Sequence, residues 1–207
     1  MKIFKQVYIA IPLCILVAGC ASNKIYNKHP NISFSQTSII TPKISHASLK
    51  LIHAYKASGE FGYIGIKSFT FNFNLIYNKN NTYLFNLDSI FLLHKFSINK
   101  INSQLYKINA FNGQSISTDN LKVYLQKELK MSIPTKYITN WVLGVPTGGT
   151  NIKYNSNLNV SSFTYNNWTI KYSPYKVIKN IYLPNLINIS TKGISIKMKI
   201  NSWKINK

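Results

Sequence analysis

The chain has 207 residues, 45% of them hydrophobic, and sets 25 basic residues against 4 acidic ones, a formal charge of +21 at pH 7. That length suits one domain with a real core. The charge does not point to nucleic acid: every basic residue is lysine, arginine with its planar phosphate- and base-reading fork is absent, and the lysines are scattered. The four carboxylates, Glu60, Asp88, Asp119 and Glu128, make no acid and base pair, so the chain is not expected to be an enzyme.

The N-terminus reads as an export signal over residues 1–19. Lys2 and Lys5 form a basic start, Val7 to Val17 is apolar but short for a bilayer span, and Ala18 and Gly19 precede Cys20. The ending Leu16-Val17-Ala18-Gly19-Cys20 resembles the bacterial lipobox, which implies that Cys20 is the site of lipid attachment and the mature N-terminus. Cys14 leaves with the signal, so no disulfide framework is expected. Ala21 follows the cysteine where an Asp would favour inner-membrane retention, which points to the outer membrane. Lysines near anionic headgroups add on the order of 1 kcal/mol each to membrane attraction. Residues 20–41 are the lipidated end and a flexible polar tether, and the folded domain is expected over 42–207.

The domain should open with a helix. Thr41-Pro42 suits a helix start, and Ile44, Ala47, Leu51, Ile52 and Tyr55 fall on one helical face. From Ala57 the period changes to two. SFTFNFNLIY sets Phe69, Phe71, Phe73, Leu75 and Tyr77 on one side, Asn78 to Asn81 turns it, and NTYLFNL sets Tyr83, Phe85 and Leu87 on one side. His94, Phe96 and Ile98 align on the next strand, another runs through Ile108, and Asn112-Gly113 suits a type I′ hairpin. Thr118-Asp119 should cap a helix bearing Leu121, Tyr124, Leu125, Glu128 and Leu129. Pro134 should open a shorter helix with Tyr137, Ile138, Trp141 and Val142, stopped by Gly144 and Pro146. Strands return at NVSSFTY, WTIKY, LINIS and ISIKMKI, the last after a Lys192-Gly193 turn. The pattern is mainly β with helices: a curved antiparallel sheet or open barrel partly closed by a helical lid, with one apolar side facing a packed core or a cavity.

No metal or cofactor is expected. His46 and His53 lie seven apart, but zinc needs three or four ligands and nothing supplies the rest. Gly148-Gly149 lacks the strand before and the lysine after that a phosphate loop requires. One stretch resists a structural explanation. Between Asp88 and Phe96, where a hairpin should carry Gly, Asn or Asp, stand Ile90, Phe91, Leu92 and Leu93. Either something apolar uses this turn, or the strand runs buried through it and turns elsewhere.

MSIPTKYITNWVLGVP, from Met131 to Pro146, resembles the LolB family, outer-membrane receptors of the Lol lipoprotein-sorting pathway. GEFGYI (59–64), the tract from Trp168 to Tyr172 and IKMKINSW (196–203) resemble other family segments in the same order. The resemblance implies an unclosed antiparallel β-barrel with an α-helical lid, enclosing a hydrophobic cavity for acyl chains. It implies a lining of Phe71, Phe73, Phe85, Phe96, Ile138, Trp141 and Met198. Its partners would be the periplasmic carrier LolA, acylated lipoprotein cargo and outer-membrane lipid, met by a monomer anchored on the periplasmic face. The family's membrane-insertion loop aligns with Ser89 to Leu92, so Phe91 stands at the family's leucine while Ile90 replaces proline and Leu92 replaces glycine. The other class compatible with the pattern is a structural or adhesive surface lipoprotein whose barrel core is filled.

Overall fold

The computed structural model describes Leu49 and residues 51–78, 80–89 and 95–206. The N-terminal half of the domain is a meander: β1 (Ala54–Ile64), β2 (Ser68–Asn78), β3 (Thr82–Asp88), β4 (Phe96–Lys100), β5 (Tyr106–Asn109) and β6 (Ser115–Thr118). The helical segment follows, with α1 (Leu121–Glu128), a 3-10 turn (Thr135–Tyr137) and α2 (Ile138–Val142). The chain then returns through β7 (Thr150–Tyr154), β8 (Val160–Tyr165), β9 (Trp168–Tyr172), the hairpin β10 (Tyr175–Ile178) and β11 (Ile181–Pro184), β12 (Leu186–Thr191) and β13 (Ile194–Asn206).

Eleven of these strands form one antiparallel sheet in the order β6-β5-β4-β3-β2-β1-β13-β12-β9-β8-β7, with β10 and β11 apart. The first and last strands of the domain therefore meet at the centre, and β6 and β7 are left as unpaired edges. This is an unclosed antiparallel barrel. Because the chain leaves one edge at Thr118 and rejoins the other at Thr150, the helical segment between them has to bridge the opening. The lid is a consequence of the strand order.

Alternation places the core. Phe71, Phe73 and Leu75 of β2, Phe61 and Tyr63 of β1, and Ile196, Met198 and Ile200 of β13 are all buried on the inward side, as the period of two requires. The alternation on β13 slips once. Ser58 pairs with Ser202 but Gly59 pairs with Ile200, so Asn201 bulges, and Ile205 keeps facing inward beyond it. Gly59 is required there, because a Cβ would run into the Lys199 carbonyl.

Three local expectations are corrected. Tyr55, expected on a helix, lies in β1, because pairing with Tyr77 on one side and Ile205 on the other fixes residues from Ala54 onward as strand. Leu49 is helical, and the rest of the expected helix before Leu51 lies outside the described residues. The cap of α1 is Asn120, whose Oδ1 accepts from the Val123 N–H at 3.2 Å, while the Thr118 hydroxyl accepts from Asn120 N–H at 3.1 Å. The 112–113 turn is not type I′. Gly113 alone has positive φ there, +82°, and its N–H donates to the Ala110 carbonyl at 2.9 Å, the pattern of a type I turn ending in glycine.

Candidate functional site

The barrel interior divides into a solid side and a hollow side. On the solid side Trp141 of α2 is fully buried, with Phe163 and Tyr165 edge-on at 5.5 and 5.2 Å and its indole N–H donating to the Thr147 carbonyl at 3.0 Å. The Tyr172 hydroxyl donates to the Trp141 carbonyl at 2.8 Å. These rings meet edge to face. The buried Tyr55 hydroxyl donates to the Thr139 carbonyl at 2.7 Å, so α2 is tied to β1 as well as to β9. Burial holds the Tyr55 and Tyr172 hydroxyls protonated, with pKa values well above the ordinary phenol range.

On the hollow side a cavity of about 50 Å³ lies between the sheet and the lid. Phe61, Leu75, Tyr83, Phe85, Ile98, Ile196 and Met198 form its sheet wall, Leu121 and Leu125 of α1 its roof, and Ile133, Thr135 and Ile138 close the side. The wall is almost wholly apolar. Leu121 and Leu125 are the buried residues of α1, and among the described residues no side-chain hydrogen bond or ion pair joins α1 to the sheet. The roof is held by apolar contact, whereas α2 is held by buried hydrogen bonds.

A second apolar space, an open groove of about 210 Å³, lies at the end of the sheet where β1 turns into β2. Lys67, Phe69, Phe71, Phe111, Glu128, Leu129 and Met131 line it. Phe69 stacks on Phe71 at 5.9 Å and Phe71 on Phe111 at 5.2 Å, and Phe111 packs on Phe96 at 5.2 Å.

Of the seven residues expected to share one cavity, Phe85, Ile138 and Met198 line the hollow. Phe71 lines the separate groove. Phe73 packs on Phe85 at 6.0 Å behind the wall, Phe96 packs on Phe111, and Trp141 belongs to the solid side, so these three line neither space. An inward-facing ring looks the same in sequence whether it borders a void or fills one. The residues missed, chiefly Phe61, Leu75, Ile98 and Ile196, carry the same alternation as those chosen, and Leu121 and Leu125 carry the helical spacing of the roof. Cys20, Ile90, Phe91 and Leu92 lie outside the described residues. Among the described residues no group of His, Cys, Asp or Glu is arranged to hold a metal, and no helix is long and apolar enough to cross a membrane.

Lys100 lies two residues along β4 from the cavity-wall residue Ile98. It lies on the inward face of β4, opposite the cavity-wall residue Tyr83 on one side and Tyr106 on the other, and is 8% exposed. Burial lowers the pKa of its ammonium. On the outer face Glu60 accepts from Lys199 at 2.9 Å and from Asn201 at 3.4 Å, which lowers its carboxyl pKa.

A family model described as "Outer membrane lipoprotein LolB" matches residues 53–203. An outer-membrane lipoprotein LolB from Baumannia cicadellinicola subsp. Homalodisca coagulata is 30% identical, with 100% of each chain covered. Another from Aggregatibacter actinomycetemcomitans is 23% identical over 98% of this chain and 99% of its own. Among solved structures, a DUF1329 family protein from Desulfovibrio piger has a TM-score of 0.55 at 8% identity, covering 77% of this chain and 88% of its own. A LolA superfamily protein from Nitrosomonas europaea has a TM-score of 0.50 at 10% identity, covering 81% and 90%. At such identities the two structures speak to the fold alone, and both agree with an open barrel.

Proposed function

Because the chain belongs to the LolB family of outer-membrane lipoproteins, we propose that it is a receptor that takes acylated lipoproteins from a soluble periplasmic carrier of the LolA type and passes them to the outer membrane. Cys20 carries its own lipid and holds it at the periplasmic face. The observation that supports this reading is the apolar hollow beneath α1. A wall of aliphatic and aromatic side chains with almost no polar atoms suits acyl chains and little else.

The hollow is small as it stands. At about 50 Å³ it is well below the roughly 150 Å³ that accommodates one benzene, so an acyl chain enters only if the cover moves. The part that moves is α1, which rests on Leu121 and Leu125, while α2 stays on its Tyr55 and Tyr172 hydrogen bonds. Chains exchanged between two apolar cavities keep nearly the same burial, so a modest difference in affinity drives transfer without a nucleotide. No bond is made or broken. The apolar Ile90-Phe91-Leu92 segment supplies the contact with the bilayer at release.

The test is reconstitution. The mature chain is mixed with a carrier loaded with an acylated lipoprotein, and the cargo is followed. Appearance of cargo on this chain, with none when the cargo lacks its acyl groups, is the expected result. Cargo that stays on the carrier at every ratio would overturn the reading.

A further inference from the structure

The β1–β2 turn, Gly65 to Lys67, carries an isoleucine that none of the described residues covers. Ile66 is 89% exposed, the highest value for a large apolar side chain among the described residues, and Ile64 beside it is 61% exposed. A turn facing water would carry Asn, Asp or Gly in these places. The isoleucines are not left out by slack in the chain. Tyr63, 1% exposed, folds its ring beneath Gly65 so closely that a Cβ there would meet it at 2.7 to 3.0 Å. The Tyr63 hydroxyl also accepts from the Ser132 N–H at 3.2 Å. The turn is buttressed from below and holds its apolar side chains outward.

Its surroundings are basic. Ile64 pairs with Ser195, and Thr191 with Ile194, which sets the exposed Lys192 turn next to the tip, while exposed Lys67 closes the tip itself. The carboxylates near this end, Asp88 and Glu128, stand 3.3 Å from Lys95 and 3.8 Å from Lys127, so they do not cancel Lys67 and Lys192.

We infer that the β1–β2 turn is a membrane-docking wedge, with Ile64 and Ile66 entering the bilayer edge while Lys67 and Lys192 meet anionic headgroups. Exposed aliphatic side chains flanked by lysines are the composition that binds the interface of a charged bilayer. Lys67 also lies in the wall of the Phe69 and Phe71 groove, so a seated tip brings the groove mouth to headgroup level. The docking goes beyond the receptor reading and does not depend on cargo.

The test uses the mature lipid-anchored chain with Ile66→Cys carrying a nitrobenzoxadiazole label, in vesicles of phosphatidylethanolamine and phosphatidylglycerol. Leu158→Cys, 70% exposed in the turn at the opposite end of the sheet, is the reference. The expected result is blue-shifted emission at position 66 that a lipid-borne nitroxide quenches, water-like emission at 158, and at least about twofold weaker quenching at 66 when phosphatidylcholine replaces phosphatidylglycerol. Water-like emission at 66 would overturn the inference. So would a blue shift that lipid nitroxide does not quench, since the tip would then be covered by protein, and so would quenching indifferent to anionic lipid. Cargo transfer measured on the same labelled chain reports separately on the receptor reading, so either can fail without the other.

Discussion

The hydroxyl of Tyr55 on β1 donates to the backbone carbonyl of Thr139 on α2 at 2.7 Å, joining two buried groups 84 residues apart in sequence. With the matching Tyr172 bond it makes half of the lid a fixed part of the barrel, while α1, roofing the hollow, has no such tie among the described residues. Tyr55→Phe removes the donor and leaves the carbonyl unpaired. It should cost about 1–2 kcal/mol and lower the thermal midpoint by roughly 2–8 °C. A variant that melts with the parent would show that this bond does not hold α2 down.

Filling the hollow separates lipid capacity from fold. Met198→Trp places a larger side chain in the cavity wall, at a cost of about 1–3 kcal/mol if the core must shift. The variant should stay folded by circular dichroism and accept acylated cargo at least about tenfold less well, a loss of about 1.4 kcal/mol in binding. Undiminished uptake would mean that acyl chains go elsewhere.

A substitution in the Ile90-Phe91-Leu92 segment tests whether acceptance and delivery are separate. If Phe91 serves only as the proposed contact with the bilayer, Phe91→Glu should leave thermal stability and transfer from carrier to receptor nearly unchanged. Incorporation of cargo into liposomes should fall sharply, since a carboxylate resists hydrocarbon by a few kcal/mol. Marked destabilisation would instead show that Phe91 is buried in a continuous strand.

The legible parts of this fold are those where burial is one-sided. β2 and β13 declare themselves through Phe71, Phe73, Leu75 and Ile196, Met198, Ile200, because a half-buried strand must alternate. β7 is exposed at every residue and leaves no such pattern. The β10 and β11 hairpin, which begins just after Pro174 and ends at Pro184, is not among the strands expected from the sequence, because proline there masks a strand signal. Tyr55 fits a helical face and a strand face equally well, and its partners on β2 and β13, distant in sequence, decide between them. The same limit applies to the site. That Trp141 fills the interior while Phe85 borders a void depends on which rings lie opposite, which spacing along one strand does not record. The Ile64 and Ile66 tip was legible in principle, as a turn whose single glycine, Gly65, stands between two isoleucines.

Lys100 gives a pH signature. Burial lowers its pKa in the folded chain below the ordinary 10.5, so between the folded value and 10.5 the unfolded chain holds more protons, and this residue's contribution to stability rises with pH across that window. Below the window the charged, desolvated ammonium is a penalty. Lys100→Met keeps the apolar stem and should be the more stable protein at neutral pH, by less than about 1 kcal/mol because part of the group is screened by solvent. Its advantage should shrink as pH approaches 10.5. Denaturant midpoints for both proteins across that range check the sign, and a constant difference would show that the ammonium is not desolvated.

The central claim is that acyl chains occupy the hollow beneath α1, and a photo-crosslink from its wall tests it most directly. Phe85→p-benzoylphenylalanine puts the reactive group in the cavity wall, and Val177→p-benzoylphenylalanine puts it on an exposed position of β10 that is 55% accessible. After transfer from a loaded carrier, irradiation should join acylated cargo to position 85 and not to position 177, with no crosslink at 85 when the cargo lacks its lipid. Cargo that transfers fully yet never crosslinks at position 85 would contradict the account.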